Sequence, residues 1–197
     1  TVNGAIYFDE SYVGNVVVYC GCVGIMPKDS YFRATKPGDL ILLAGGKTGR
    51  DGIHGVTFAS AELTEKSEQV SRPAVQIANP IEEEKLKRAI VEVRNRKLGS
   101  GISDLGGGGL SSAIGEKAHS ADCGAFVKLD KVPLKHSGIA PWEIYISESQ
   151  ERMLLSVPRK NLSENLQIFE EEDVDVTVVG KFTNDGMLTI VYQVEKV

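Results

Sequence analysis

Two stretches of this chain carry side chains arranged for chemistry rather than for packing. Ser147-Glu148-Ser149-Gln150-Glu151-Arg152-Met153 places an acid, a hydroxyl and an amide side by side, just before an apolar run. Acceptors and donors at adjacent positions suit a ribose diol or an amide. Adjacent residues on a strand face opposite ways, so Glu148, Ser149 and Gln150 can meet one ligand only from a bend or a helix end. Pro141 to Ile146 supplies a candidate for that helix; a solvated turn is the plainer reading. The second stretch, Gly101-Ile102-Ser103-Asp104-Leu105-Gly106-Gly107-Gly108-Gly109, puts one carboxylate ahead of four glycines. Four glycines cost backbone entropy and add no packing. They do let backbone amides approach a phosphate, with the following helix N-terminus adding favourable potential. A carboxylate beside phosphate needs a hard cation such as Mg²⁺ between them, which makes Asp104 a candidate metal ligand. A helix cap with a flexible turn is the alternative.

Other candidates are weaker. Gln76, in Pro73-Ala74-Val75-Gln76-Ile77, is a polar residue in an apolar run, either a buried hydrogen-bond bridge or a ligand contact. The loop Gly45 to Gly55 holds Lys47, Arg50, Asp51 and His54 among five glycines. It resembles a phosphate nest but lacks the Lys-Ser/Thr pair that follows the last glycine of a Walker motif. Glu151 and Arg152 read as a structural ion pair, and His119 and His136 as surface residues. Cys20, Cys22 and Cys123 have no metal-type spacing and read as reduced, small, buried residues.

The elements that must position these residues alternate between strand and helix. Val16 to Met26 is β-branched and apolar and reads as a buried strand. Lys36-Pro37-Gly38-Asp39 is a turn into a central strand, Leu40 to Ala44. Asn79-Pro80 starts a helix, with Asn79 as N-cap and Glu82 to Glu84 near the positive end of its dipole. Leu86, Ala89, Ile90 and Val93 share one face of it, and Gly99 is its stop. Leu110 to His119 reads as a second helix, and Ala125, Val127 and Leu129 as a strand. Met153 to Val157 is another strand, after which Pro158 opens a helix running into Glu170 to Asp173. Val174 to Val179 and Leu188 to Tyr192 are strands, with Asn184-Asp185-Gly186 as a hairpin signal. The expected fold class is α+β, a mixed β-sheet covered by helices.

Composition sets the frame. The chain has 197 residues, 42% hydrophobic and 25% charged, as an ordinary globular domain does. A net charge of −5, with no basic stretch interleaved with aromatics, argues against a nucleic-acid partner. No apolar run reaches the length of a membrane span and no signal peptide opens the chain, so the expectation is a cytoplasmic protein without a membrane partner.

Read together with Gly49-Arg50-Asp51-Gly52-Ile53-His54-Gly55, the two chemical stretches resemble the synthetase subunit of phosphoribosylformylglycinamidine synthase. That family belongs to the aminoimidazole ribonucleotide synthetase-like superfamily. The likeness runs from Tyr7-Phe8-Asp9-Glu10-Ser11-Tyr12 to the closing strands, with three long motifs in the same order. It implies a fold like the C-terminal domain of those synthetases over residues 31–197, with residues 1–30 as the tail of a preceding ATP-binding domain. It implies an ATP-dependent ligase of purine biosynthesis, converting formylglycinamide ribonucleotide, ATP and glutamine-derived ammonia to the amidine. By the same resemblance Asp104 is a Mg²⁺ ligand, and Gln76, Glu148, Ser149 and Gln150 contact the ribonucleotide. The ATP site lies mostly upstream, no catalytic residue falls in this chain, and the fragment alone should be inactive. Implied partners are a glutaminase subunit and a small accessory subunit, and a homodimer is compatible. Two alternatives stand beside this reading. One is a sibling ATP-dependent enzyme of the superfamily. The other is a non-catalytic scaffold or dimerisation half.

Overall fold

The computed structural model describes residues 2–14, 16–28, 34–53, 77–193 and 195–196. Among these residues seven strands form one sheet: β1 (Leu40–Gly45), β2 (Gly101–Asp104), β3 (Gly124–Lys128), β4 (Arg152–Val157), β5 (Val176–Thr183), β6 (Leu188–Tyr192) and β7 (Glu195–Lys196). Their order is β2-β4-β1-β5-β3-β6-β7, and every neighbouring pair is antiparallel except β3 with β6. Among the described residues, four α-helices cover the two faces: α1 (Pro80–Asn95), α2 (Gly109–Ser120), α3 (Pro141–Ile146) and α4 (Leu162–Glu171). The mixed sheet clad in helices is the α+β class expected from the sequence.

The period of two along β1 divides its side chains between two cores. Leu40, Leu42 and Ala44 pack with Leu86, Ala89 and Val93 of α1 and with Ile168 and Phe169 of α4. Ile41 and Leu43 face the other way, toward Leu110, Ala113 and Ile114 of α2 and Ile144 of α3. A strand buried on both faces reads as an unbroken apolar run, which is why Leu-Ile-Leu-Leu-Ala was legible as central. Helix α1 starts as expected: the Asn79 side chain accepts from the Glu82 amide at 3.5 Å, and Pro80 takes the first helical position.

Five expectations need correction. Residues 16–26 form no strand: Val16, Val17, Val18, Tyr19 and Val23 are all exposed, Val18 at 90%. Apolar β-branched side chains make a strand only where a sheet edge accepts them, and none is paired to this segment among the described residues. Cys20 and Cys22 are exposed with it, whereas Cys123 is buried as expected. Helix α1 stops before Gly99. Lys97 takes the left-handed turn (φ 55), and Leu98 donates back to the Val93 carbonyl at 3.0 Å and enters the core. Leu129 begins a 3-10 turn instead of continuing β3. Asn184-Asp185-Gly186 turns the chain, but β5 and β6 are not a hairpin, because β3 lies between them. The turn spans the start of β3, where a Cβ on Gly124 would stand 2.3 Å from Asp185 Oδ1 and 2.5 Å from the Met187 carbonyl oxygen. Gly124 therefore makes room for a strand inside what the local sequence presents as a hairpin.

Candidate functional site

The antiparallel register brings the chemical segments to one end of the sheet. Gly45, the last residue of β1, is opposite Arg152, the first of β4, and Asp104 at the end of β2 is opposite Met153. The loop after β1, the loop after β2 and the run before β4 therefore emerge side by side.

Hydrogen bonds zip the first and third of these together. The Gly46 amide donates to the Glu151 carbonyl (2.9 Å), and the Glu148 amide donates to the Asp51 carbonyl (2.8 Å). The Gly49 amide donates to Ser149 Oγ (2.9 Å), and Ser147 Oγ donates to the Gly49 carbonyl (2.7 Å). Gly45 has to be glycine. Its φ is +104, and a Cβ would lie 2.1 Å from the Glu151 carbonyl oxygen. Glu151 itself sits at φ 54, which turns the chain from the polar run into β4. The far side of the loop is held by the Thr48–Leu134 bridge and by two ion pairs, Arg50–Glu143 (2.7 Å) and Lys135–Asp51 (2.5 Å).

The glycine loop joins from the other side. Its amides answer carboxylates: Gly106 donates to Asp104 Oδ1 (2.9 Å) and Gly108 donates to Glu148 Oε1 (3.1 Å). Gly108 is the N-cap of α2 and has no side chain to cap it, so the Glu148 carboxylate supplies the negative group that a helix N-terminus favours. Gly109 (φ +57) packs its α-carbon against the Ser147 carbonyl, where a Cβ would be 2.0 Å from the oxygen. The loop amides bind two carboxylates, where the sequence had suggested that they approach a phosphate beside Asp104.

The sequence candidates thus fall into distinct places. Asp104 is exposed at the mouth, with one oxygen bound by Gly106. Glu148 is 6% exposed, and Gln150 is half-buried, its Nε2 donating to the Glu148 carbonyl at 3.0 Å. Ser149 is buried, and its hydroxyl receives the Gly49 amide and lies against the Asp51 carboxylate. Gln76 and His54 lie outside the described residues. His119 and His136 are exposed, as expected. Glu151 and Arg152 do not form the expected pair. Glu151 Oε1 accepts from the Asn79 amide (2.9 Å), while Arg152 turns inward to the carbonyls of Ser147 and Ser149 and to Thr48 Oγ1. The positive φ at Glu151 sends the two side chains apart.

Sequence reasoning passed over buried Thr48 and the bracing roles of Ser147 and Asp51, and it gave buried Arg152 the wrong partner. A signal was present for Arg152: a cation at the first position of an otherwise apolar strand has to be satisfied from the preceding residues. Electrostatics follow from these contacts. Burial pushes the Asp51 carboxyl up, but hydrogen bonds from Lys135 and Ser149 outweigh it and hold the carboxyl below its ordinary range. Desolvation brings the Arg152 guanidinium down to about 10, opposed by the Asp51 charge.

Among the described residues no group of three His, Cys, Asp or Glu side chains is placed to hold a metal. Asp104 alone offers one exposed hard oxygen donor group. That fits an ion of the Mg²⁺ type, which binds through one or two carboxylates and takes its other ligands from water and phosphate.

The chain is 46% identical over its whole length to phosphoribosylformylglycinamidine synthase subunit PurL of Picrophilus torridus, and covers 27% of that protein. Among solved structures, PurL of Thermotoga maritima complexed with FGAR matches with a TM-score of 0.79 at 37% identity, over 86% of this chain and 28% of that one. The same protein complexed with ATP matches at 0.72 and 32%, over 86% of this chain and 26% of that one. The PurLQS structure from that organism matches at 0.72 and 32%, over 87% of this chain and 27% of that one. The chain therefore spans about a quarter of the length of the relatives it matches. Residues 36–193, nearly all of the helix-clad sheet, match the C-terminal domain of the AIR synthase related proteins, and the chain belongs to that family.

Proposed function

We propose that this chain is the ribonucleotide- and metal-binding part of an ATP-dependent ligase. That enzyme converts formylglycinamide ribonucleotide, ATP and glutamine-derived ammonia to the amidine in purine biosynthesis. One observation carries the reading. The Glu148 carboxylate is bound by the Gly108 amide, so the Glu148-Ser149-Gln150 run and the Asp104 glycine loop form one site.

At that site Glu148 and Gln150 would receive ribose or amide groups of the substrate. Ser149 would join them if a ligand atom enters the contact between its hydroxyl and Asp51, and Gln76 would complete the set. Asp104 would hold Mg²⁺, whose contribution when bound is to offset charge on the transferring phosphoryl group. What the chain itself contributes is orientation. Amides of the glycine loop fix the two carboxylates, and the Gly45–Ile53 loop fixes the run between them. Binding energy used in this way places the amide oxygen of the substrate for attack on ATP. The ATP site would lie mostly on the preceding domain, whose tail would be residues 1–30. The exposed apolar side chains of 16–26 suit a segment that packs elsewhere in a longer protein. A glutaminase subunit and a small accessory subunit would supply ammonia, in the cytoplasm.

Calorimetric titration of the full-length protein with formylglycinamide ribonucleotide, with and without Mg²⁺, tests the reading. Binding to wild type should weaken about tenfold or more in Glu148→Ala, about 1.4 kcal/mol. In Asp104→Ala the Mg²⁺-dependent part of the affinity should disappear. Wild-type binding that neither substitution alters would overturn the assignment.

A further inference from the structure

We infer that Arg152 is a positioning residue for ligand binding: from inside the protein it sets the conformation in which Ser147 to Gln150 presents Glu148 and Gln150. This rests on the functional reading above.

The geometry is specific. Arg152 is 3% exposed, and each of its three nitrogens donates to a different oxygen: Nε to the Ser149 carbonyl (2.8 Å), Nη2 to the Ser147 carbonyl (2.7 Å) and Nη1 to Thr48 Oγ1 (2.8 Å). The two carbonyls belong to the 147–148 and 149–150 peptide units, which flank the Glu148-Ser149 pair, so one rigid fork fixes the main chain on both sides of that pair. The third bond reaches the loop after β1, which the Thr48 main chain ties to Pro133 and Lys135 at 2.8 Å each. One side chain therefore couples the run to the loop that braces it.

Stability alone does not account for this choice. All three bonds go to neutral oxygens, and a desolvated guanidinium is costly in such surroundings; an apolar side chain of similar volume commonly stabilises as well or better. Asp51 supports the cation electrostatically and braces the same run by accepting from Ser149 and Lys135. A planar fork holds its donors on three separate nitrogens in one fixed geometry, whereas an ammonium carries its three donors on a single rotatable nitrogen. The arrangement makes sense if the shape of residues 147–150 is what the site needs.

The test uses the full-length protein with Arg152→Lys, Arg152→Met and Thr48→Val. Steady-state kinetics in formylglycinamide ribonucleotide and in ATP are measured beside thermal melting and amide hydrogen exchange over 147–150. The expected result is a KM for the ribonucleotide raised about tenfold in Arg152→Met and less in Arg152→Lys, the loss of one or more buried hydrogen bonds. The KM for ATP should stay within about threefold and kcat should change little, as expected for lost substrate binding. Exchange over 147–150 should speed up in both. A folded Arg152 variant with wild-type ribonucleotide KM and wild-type exchange overturns the inference, and so does an equal loss in both substrates together with a lowered melting point. If neither Arg152 variant folds, Thr48→Val decides: it removes one acceptor only, and a ribonucleotide KM unchanged from wild type overturns the inference. Wild-type protein that fails to bind the ribonucleotide refutes the functional reading instead. Exchange over 147–150 in the variants then still decides whether Arg152 holds the run.

Discussion

At the scale of single residues, the site depends on backbone approaches that tolerate no side chain and on carboxylates held by amides. Gly109 is the sharpest case, since it combines positive φ with a carbonyl oxygen where its Cβ would be. Gly109→Ala should destabilise the protein by about 2 kcal/mol or more and lower its affinity for ligand, read by urea melts and titration. Asp51 makes a prediction in pH. Its carboxyl is held below the ordinary value of 3.8 because the Lys135 and Ser149 hydrogen bonds outweigh burial. A depressed folded pKa contributes stability that is fully present above the ordinary value and is lost as pH falls through the folded one. Asp51→Asn should therefore be less stable than wild type at pH 7, with the difference narrowing below about pH 4, measured by denaturant melts across that range. At this scale the residue types were legible in sequence and their partners were not. Glu148 and Asp104 announce themselves, and the Gly106 contact to Asp104 is local, but that Gly108 binds Glu148 follows only from the register of β2 against β4.

At the scale of elements, β1 carries the architecture, because its two faces seed two cores. Leu86, 1% exposed against β1, anchors α1, and Leu86→Ala should cost about 2–5 kcal/mol. The Asn79 cap, at 3.5 Å, is a long bond, and Asn79→Ala should cost less than a typical cap, about 0.5 kcal/mol. Thermal or urea denaturation of the two variants separates these effects. Gly124→Ala tests the insertion of β3 beneath the 184–187 turn. Its Cβ would meet main-chain atoms of Met187, so the melting point should fall although the substituted residue is small. Asn184-Asp185-Gly186 was read correctly as a turn and incorrectly as a hairpin, since a turn motif reports only local geometry. Which strand fills the space beside β5 is decided by residues some sixty positions away.

At the scale of the whole molecule, the surface ion pairs and the proposed recognition site separate by location. Helices α1 and α4 are linked by Arg88–Glu172 (2.7 Å), Lys85–Asp173 (3.0 Å) and Arg96–Glu164 (3.4 Å), pairs at the solvent face. Such pairs are screened and contribute little. Raising salt to about 0.5 M, where screening reaches within a few ångströms, should leave the melting temperature almost unchanged. Phe169→Ala, at a fully buried position of α4, should cost about 3–5 kcal/mol by the same measurement. The proposed recognition site lies in the opposite kind of place, the polar end of the sheet where three loops meet.

The sequence by itself determined the residue types of the site, the central strand, the start of α1 and the α+β class. Each of these is written in local patterns: an unbroken apolar run, an Asn-Pro pair, a carboxylate before glycines. It also carried enough of its three motifs, in order, to mark the family. Tertiary structure alone decided that Arg152 turns inward and away from Glu151, and that β3 separates β5 from β6. It alone decided that the glycine loop binds the Glu148 carboxylate, and that the apolar stretch 16–26 has no sheet to join among the described residues. The physical reason is the same in each case. A hydrogen-bonding group or an apolar strand declares what it needs in sequence, but the partner that meets the need is chosen by strand register and chain crossing over long separations.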